Sequence, residues 1–423
     1  MSSPAEFLDT RTAPPAAAFD RFLRRRTLQA LDAMRGGQVR LREGDDDILL
    51  GTADGDDPLH IVLRVRNPAF WRQLASNGSV GAGESFMDGD WDCDDLVALV
   101  RLLVRNRDLL DGMDSGLARL GGWAMRAAHA LRRNTRAGSR RNIAAHYDLG
   151  NEFFGLFLDQ NLMYSSAIFA TPTESLELAS TRKLDRICEK LDLRADDHLV
   201  EIGTGWGGMA LHAARTRGCR VTTTTISREQ HALASARIAE AGLSDRVQLL
   251  LSDYRDLQGT FDKLVSIEMV EAIGHQYLDT YFSTCSRLLR PGGLSLVQAI
   301  TIEDHRYAQA LTSVDFIKRH VFPGSFIPCV SALVAAAAQS GPLRLLNLED
   351  FGHSYALTLR HWRDRFAQQR EAVRAQGYDE RFARMWEFYL CYCEGGFIER
   401  AISDVQLLFC TPGQRRADYV PGL

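Results

Sequence analysis

Glu201 and the glycines that follow it at every second position carry the first chemical signal of the chain. Residues 198–208 read His-Leu-Val-Glu-Ile-Gly-Thr-Gly-Trp-Gly-Gly, and a helical pattern follows over residues 209–217. An apolar run, a glycine-rich turn and a helix start predict the first half of a βαβ unit. Glycines let the backbone approach a ligand closely, and the helix start offers free N–H groups. We therefore predict a ligand-binding loop formed by Glu201, Gly203, Thr204, Gly205 and Gly207.

The ligand of this loop is not fixed by the glycines alone, because similar loops bind NAD and FAD. The order E-x-G-x-G-x-G suits S-adenosylmethionine (SAM) better, since SAM has no pyrophosphate for the helix to bind. The Glu201 carboxylate at the strand end can serve the cationic methionine end of SAM. SAM is the preferred interpretation, and other nucleotides or an ordinary strand-to-helix turn are the alternatives.

Polar residues also follow the apolar run at residues 247–251, which predicts the third strand of the sheet. Ligands of an open α/β sheet bind beyond the carboxyl ends of its strands. Asp253 can accept a hydrogen bond from an adenine amino group, Tyr254 can pack on the ring, and Arg255 lies beside them. The alternative is that Asp253 only caps the next turn.

Two acids, Glu268 and Glu271, follow the predicted fourth strand at residues 261–267. Acids after an apolar strand are costly to bury unless they have a partner or a task. Residues 293–302 predict the fifth strand, which includes Gln298 and Ile300. These side chains form a second candidate group at the same edge of the sheet.

The remaining elements complete an α/β domain with helical insertions. A β-rich run predicts the second strand over residues 219–225, after which Ser227 and Gln230 form a predicted capping box. Residues 343–348 and 403–409 predict the last strands, one of them antiparallel. The insertions at residues 304–341 and 354–398 could cover a long apolar acyl channel, or they could be ordinary core.

Composition limits the function classes. The 423 residues are enough for two or more domains, and a net charge of −4 gives no indication of nucleic-acid binding. No apolar run reaches the roughly 20 residues of a membrane span, and residues 1–20 are polar, without the apolar h-region of a signal peptide. The eight cysteines include no C-x-x-C pair, so they indicate neither a zinc site nor a disulfide framework, and we expect a cytoplasmic protein.

The N-terminal part, residues 1–138, predicts a small α+β domain. It contains a basic helix at residues 19–34, strands at 39–41, 48–50 and 60–65, a helix opening at Pro68, and an amphipathic helix at 96–110. The aromatics of residues 81–91 could touch lipid or belong to the core. Seven arginines in residues 119–141 could lie on an anionic membrane or form a solvated linker helix. Residues 139–423 then form the second domain.

A family resemblance emerges from residues 146–154, HYDLGNEFF, and residues 162–169, LMYSSAIF. With the loop motif and the stretch GESFMDGDW, they resemble the cyclopropane-fatty-acyl-phospholipid synthase family, over about four fifths of the chain. The resemblance implies a class I SAM methyltransferase sheet and transfer of a methyl or methylene group from SAM to the double bond of an unsaturated phospholipid acyl chain. It also implies that Tyr164, Ser165, Thr225 and Gln230 contact SAM.

The resemblance further implies a carbocation, a dry site and a bound bicarbonate that acts as the base. The family holds bicarbonate with a Cys, a Glu, a His, a main-chain group and a Tyr. The corresponding residues here are Ser166, Glu271, Gln298, Ile300 and Tyr355, so Ser replaces the Cys and Gln replaces the His. Cys393 occupies a late cysteine position and is expected to line the site.

The residues that depart from the family pattern make this chain more similar to one branch of the family. Glu268 and Gln298 are more similar to the branch that makes methyl- or methylene-branched fatty acids, whereas the cyclopropane makers more often have a Gly and a His there. We expect an altered base that removes the proton from a different carbon. Alternatives are a SAM methyltransferase of small molecules and a non-catalytic SAM- or lipid-binding protein. The implied partners are membrane phospholipids, a partner reductase and a second copy in a homodimer, with the protein peripheral at the inner face of the membrane.

Overall fold

The computed structural model describes residues 18–111 and 149–415, which belong to two compact units. The predicted domain boundary at residue 138, the arginine-rich residues 119–141 and the first part of the HYDLGNEFF motif lie outside the described residues. Those predictions therefore stay predictions.

The first unit is a small α+β fold, as the sequence predicts. Its sheet has the strand order β2-β1-β3-β4, with β1 and β3 parallel and the other pairs antiparallel. Buried and exposed residues alternate along β1 and β3, so one face of the sheet packs on the core. The elements are α1 (Ala18–Asp32), β1 (Gly37–Glu43), β2 (Asp46–Leu50), β3 (Leu59–Val65), α2 (Ala69–Met87), β4 (Trp91–Cys93), α3 (Leu96–Arg105) and α4 (Arg107–Asp111).

Two features of this unit refine the sequence predictions. Phe86 and Trp91 are buried, with ring centroids 5.1 Å apart, so the core interpretation of residues 81–91 is the one that the structure supports.

The predicted single helix over residues 96–110 is wrong, because it breaks at Asn106. The Asn106 side-chain amide donates to the carbonyl oxygens of Leu102 and Arg35, and these bonds compete with a continued helix.

The second unit contains the doubly wound sheet that the sequence predicts. Its order is β10-β11-β9-β8-β5-β6-β7, and β11 is antiparallel to both of its neighbours. The strands are β5 (His198–Ile202), β6 (Arg220–Thr225), β7 (Val247–Leu251), β8 (Phe261–Ile267), β9 (Leu289–Ile302), β10 (Arg344–Asp350) and β11 (Ile402–Cys410). β9 begins four residues before the predicted start, because Leu289 still pairs with Phe261 before the register shifts.

Helices pack on both faces of this sheet and form the two insertions. They are α5 (Asn151–Gly155), α6 (Leu176–Lys190), α7 (Gly208–Arg217), α8 (Arg228–Glu240), α9 (Leu278–Leu288), α10 (Tyr307–Thr312), α11 (Val330–Ser340), α12 (Gly352–Gln368), α13 (Arg370–Ala375) and α14 (Glu380–Ile398). The apolar face of α11 is ordinary core, since Leu333, Ala336 and Ala337 are buried in the hydrophobic cluster formed with residues of β8, β9 and β11. Within the described ranges, no helix has both the length and the apolar character needed to cross a membrane.

Candidate functional site

The glycine-rich loop after β5 has the geometry that close approach to a ligand requires. Gly203, Gly205 and Gly207 have backbone φ angles of +98°, +52° and +87°, which residues other than glycine rarely adopt. A Cβ added to Gly205 would meet no atom within 4 Å, whereas one on Gly208 would lie 2.5 Å from Met163 Sδ. The loop therefore borders open space at Gly205 and is packed at Gly208. This arrangement fits a SAM molecule held against the loop and the start of α7.

Glu201 ends β5 but lies deep in the protein, with 2% of its surface exposed. Its Oε2 accepts a hydrogen bond of 2.6 Å from Thr223 Oγ1, and that hydroxyl also lies 2.6 Å from Thr204 Oγ1. Burial raises the pKa of Glu201 to about 8, although the Thr223 hydrogen bond and the charge of Lys183 oppose the shift. The predicted contact of Glu201 with the cationic end of SAM stays a prediction.

At the end of β6, Thr225 and Gln230 lie together as predicted. Thr225 Oγ1 lies 2.9 Å from Gln230 Oε1, and Ser227 Oγ accepts the N–H of Gln230 at 3.2 Å. The full capping box is wrong, because the Ser227 N–H donates to Thr225 Oγ1 instead of to the Gln230 side chain. Thr225 thus fixes both the helix start and the orientation of Gln230.

At the end of β7, the structure has the capping arrangement that the sequence left as an alternative. Asp253 Oδ1 accepts the Arg255 N–H at 3.0 Å, and both carboxylate oxygens bind the Arg255 guanidinium at 2.8 and 2.6 Å. The Tyr254 ring packs against Tyr281, and its pKa is raised because the hydroxyl is buried. A contact of Asp253, Tyr254 and Arg255 with adenine stays a prediction.

Residues 161–166 connect the SAM loop to a second group of buried polar residues. Arg237 on α8 donates to the carbonyl oxygens of Asn161 and Trp206, at 3.2 and 2.5 Å. Further along, the Tyr164 hydroxyl lies 3.0 Å from that of Tyr389, and Ser165 Oγ accepts a 2.7 Å hydrogen bond from Lys183 Nζ. This segment therefore joins the loop edge of the sheet to its interior.

Glu268 is the centre of the second group. Its Oε1 accepts the backbone N–H of Ser166 at 2.8 Å and Gln298 Nε2 at 2.8 Å, and its Oε2 accepts the Tyr355 hydroxyl at 2.7 Å. Glu268 has a φ of +48°, a strained value for a residue that is not glycine. Three of the residues that the sequence named as catalytic therefore converge on the carboxylate of a fourth, Glu268. Ser166 contributes its backbone, because its hydroxyl donates to the Ala167 carbonyl.

Gln298 is held in one orientation by a neighbour on β11. Gln406 Nε2 donates to Gln298 Oε1 at 3.1 Å, which leaves Gln298 Nε2 to donate to both Glu268 Oε1 and Asp404 Oδ2, at 2.8 and 2.9 Å. Gln298, Asp404 and Gln406 are all fully buried. Burial, together with the nearby Glu268, raises the pKa of Asp404 well above its usual range. A protonated Asp404 can then share its proton with Glu268.

Glu271 and Ile300 bind each other beside this group. The Ile300 N–H donates to Glu271 Oε1 at 2.5 Å, and Glu271 Oε2 is buried without a hydrogen-bond partner among the described residues. Burial, and then the charge of Glu268, raise the pKa of Glu271 to about 8. The acid is therefore neutral below that pH.

The predicted bicarbonate site does not fit this arrangement. Ser166, Gln298 and Tyr355 bind the Glu268 carboxylate, and Ile300 and Glu271 bind each other. A carboxylate has the planar form and the paired oxygen acceptors of bicarbonate. Glu268 thus supplies from the chain itself the kind of group that the resemblance assigns to a bound anion.

Cys393 on α14 is not part of the hydrogen-bonded group in the part of the chain that the structure describes. Burial raises the pKa of its thiol far above the usual value, and the charged neighbour that adds to the shift is Asp315. A neutral thiol is a weak nucleophile. Its role in lining the site stays a prediction.

Sequence reasoning missed three residues of the site: Lys183, Asp404 and Gln406. Asp404 and Gln406 stand two residues apart in an otherwise apolar strand, so both point to one face, and that alternation was a readable signal. Lys183 lies within the charged helix α6, where burial cannot be recognised from the sequence.

The sequence of this chain is similar to those of lipid-modifying methyltransferases. A family model described as mycolic acid cyclopropane synthetase matches residues 134–407. The tuberculostearic acid methyltransferase of Mycobacterium tuberculosis is 39% identical over 360 residues, covering 82% of this chain and 83% of that relative. The cyclopropane-fatty-acyl-phospholipid synthase of Escherichia coli strain K12 is 36% identical, covering 82% of this chain and 87% of the relative.

Among solved structures, the mycolic acid cyclopropane synthase CmaA1 complexed with SAH and CTAB is similar to the second unit. It matches with a TM-score of 0.60 and 27% identity, covering 64% of this chain and 98% of that one. The comparison agrees with a class I SAM methyltransferase sheet.

Proposed function

This chain belongs to the mycolic acid cyclopropane synthetase family as a SAM-dependent methyltransferase of unsaturated acyl chains, and we propose that it uses Glu268 as its base. We further propose that its product is a methyl- or methylene-branched phospholipid acyl chain rather than a cyclopropane. The observation that carries the proposal is the convergence of Ser166, Gln298 and Tyr355 on the Glu268 carboxylate.

The chemistry needs a protected base. SAM, when bound, supplies an electrophilic methyl group. Addition of a methyl group to one alkene carbon leaves a positive charge on the other carbon of the acyl chain, and loss of a proton restores a neutral product. The Glu268 carboxylate can take that proton at Oε1 or Oε2. Burial of the surrounding residues excludes water that would trap the cation.

Aromatic side chains beside the base support the same reaction. The Tyr164 ring lies 5.3 Å from that of Trp362, and the Tyr355 ring stacks on Phe397 at 4.4 Å. The faces of such rings stabilise a nearby positive charge. They also present an apolar surface to an acyl chain.

The product follows from where the base is fixed. Proton loss from the added methyl group closes a ring, whereas loss from a chain carbon, or after a hydride shift, gives a branched alkene. Glu268 is anchored by hydrogen bonds to β9, α12 and residue 166, so it cannot follow the substrate as a free anion could. The 39% identity to a tuberculostearic acid methyltransferase also supports the branched product. A methylene product would need a partner reductase to become a methyl branch.

We also propose that the protein works at the inner face of a membrane. The support is the seven arginines of residues 119–141, together with Arg64 on the exposed side of β3. Arg40 and Arg42 on β1 are also exposed, but both pair with Asp47. Pelleting with anionic vesicles, at low and at high salt, tests this proposal. A homodimer is a further prediction that analytical ultracentrifugation can test.

The deciding experiment expresses the protein in a host that makes monounsaturated phospholipids and is fed methionine labelled in its methyl group. We expect a labelled acyl chain one carbon heavier, with a vinylidene or methyl branch in its NMR spectrum. Glu268→Gln should lower product formation by at least about 100-fold. Cyclopropane protons alone would contradict the branched product. Absence of label, with SAM still bound, would favour a small-molecule substrate or a binding-only protein.

A further inference from the structure

Lys183 is a buried cation that the proposed reaction does not yet use. It lies on α6 with none of its surface exposed, and its Nζ donates to Ser165 Oγ at 2.7 Å. Burial lowers its pKa, and the charges of four acids oppose that shift: Glu268, Asp159, Asp404 and Glu201. A buried ammonium group is retained only when it is paired.

The acids around Lys183 differ in how many hydrogen bonds they accept. Glu268 accepts three, from Ser166, Gln298 and Tyr355. Asp159 accepts two, from the backbone N–H groups of Asn161 and Met163. Glu201 accepts one from Thr223, Glu271 accepts one from Ile300, and Asp404 accepts one from Gln298. Asp404 Oδ1 and Glu271 Oε2 accept none from the described residues. Burial raises the pKa of Glu268, and the charge of Lys183 and the hydrogen bonds from Ser166 and Tyr355 oppose that shift. Donated hydrogen bonds favour the charged form of a carboxyl group, so among the acids with a raised pKa Glu268 is the one best suited to be ionised.

We propose that Lys183 is a positioning residue that keeps Glu268 in its ionised form while Glu201, Glu271 and Asp404 stay neutral. The inference rests on the proposed function, since only an ionised Glu268 can accept a proton. One buried cation balances one carboxylate, and the other three acids then remain neutral. Through Ser165, the same ammonium group also fixes the backbone that donates to Glu268 from Ser166.

Titratable groups from several neighbouring elements surround Glu268 and Lys183. The titratable and charged groups that face Glu268 or Lys183 are Tyr355 from α12, Asp404 from β11, Glu271 from the turn after β8, Glu201 from β5 and Asp159 from the segment before residue 161.

The test observes ionisation directly, without turnover. Protein labelled with ¹³C in glutamate carboxyl groups is measured by infrared spectroscopy, and the spectrum of Glu268→Gln is subtracted from that of the wild type. Near neutral pH, the difference should contain a carboxylate band for Glu268. Subtracting Glu271→Gln or Glu201→Gln should reveal a protonated acid. A protonated Glu268 in the wild type overturns the proposal, and this arm needs no lysine variant to fold.

The second arm replaces the lysine. Lys183→Met should raise the midpoint of Glu268 ionisation by roughly one to three pH units, because an opposite charge is lost. Lys190→Met is the matched control, since Lys190 is also fully buried on α6 but pairs with Glu349. Equal midpoints in both variants overturn the proposal.

The readouts keep this inference separate from the proposed function. In lipid assays, Lys183→Met should move the acidic limb of kcat/KM to higher pH by the same shift, and should have no added effect in Glu268→Gln. A spectroscopic shift in a protein that labels no lipid would support Lys183 and refute the proposed function. Labelled lipid without the spectroscopic shift would support the proposed function and refute the role of Lys183.

Discussion

Glu268 and Gln298 bind each other twice. The backbone N–H of Glu268 donates to the carbonyl oxygen of Gln298 at 2.8 Å, and Gln298 Nε2 donates to Glu268 Oε1, also at 2.8 Å. The main-chain bond links the end of β8 to β9, and the side-chain bond holds the carboxylate over the same strand. The base is therefore positioned by the sheet itself.

Removing the Gln298 amide should disable the base. Gln298→Leu leaves the Glu268 and Asp404 carboxyl groups without a shared donor, so we expect a stability loss of roughly 2–5 kcal/mol and a fall in kcat of at least about tenfold. Gln406→Leu is the control, because Gln406 is equally buried but, among the described residues, its side chain donates to Gln298 Oε1 and not to Glu268 or Asp404. Denaturation and labelled-lipid assays measure both. Equal losses of kcat in the two variants would contradict the assigned role.

Replacing Glu268 with glycine should make the enzyme depend on an added anion. Glu268→Gly removes the carboxylate and relieves the strain of the +48° φ angle, and it leaves three donors without their acceptor. We expect activity to be lost in buffer free of dissolved carbon dioxide and partly restored by bicarbonate, with cyclopropane in the product.

Glu268→Ala is the comparison, since it opens the same space but keeps the strained backbone. It should be less stable than Glu268→Gly by about 1 kcal/mol. Wild-type activity should not respond to bicarbonate. A bicarbonate requirement in the wild type would show that Glu268 does not replace the anion.

The glycine loop offers a test of SAM binding. Gly205→Ala and Gly242→Ala both place a methyl group at a positive φ with no atom within 4 Å of it, so their stability losses should be similar, about 1 kcal/mol. Only Gly205 borders the predicted SAM site. Calorimetric titration should show SAM affinity at least about tenfold weaker in Gly205→Ala and unchanged in Gly242→Ala. Unchanged affinity in both would place SAM elsewhere.

The raised pKa of Glu271 predicts how stability depends on pH. The folded protein keeps the Glu271 proton up to about pH 8, whereas the unfolded chain loses it near the ordinary value of 4.5. Between these values the unfolded state binds fewer protons, so this group lowers the free energy of unfolding as pH rises through that window. Glu271→Gln mimics the neutral acid. It should be more stable than the wild type near pH 8, by on the order of 3–5 kcal/mol, and similar near pH 4.5.

Glu380→Gln is the control variant, because the pKa of Glu380 is shifted in the opposite direction from that of Glu271. Hydrogen bonding from Arg374 lowers the pKa of this surface carboxylate, so its replacement should not increase stability at any pH. Urea denaturation at several pH values distinguishes the two variants. A wild-type stability that does not fall relative to Glu271→Gln would mean that Glu271 is ionised in the folded protein.

The sequence determined the sheet and the loop of this protein. Apolar runs bounded by glycines and polar turns located β5 to β8 within a residue, and the second-unit fold followed from their order. These features are local, because strand and helix periodicity and the φ angles of glycine depend on neighbouring residues. The strand pattern also located Glu268 and Gln298, and the resemblance added Ser166 and Tyr355, but neither showed how these residues meet.

The tertiary structure decided which group each of these residues serves. Lys183 from α6 and Asp404 from β11 are distant in sequence, and their roles arise from burial, which a single stretch of sequence does not reveal. The same holds for Asp253, whose capping of Arg255 and predicted ligand contact use the same side chain. Hydrogen bonds and pKa shifts in a dry interior depend on all packed neighbours at once. The placement of a carboxylate at the predicted bicarbonate site is therefore a property of the folded chain.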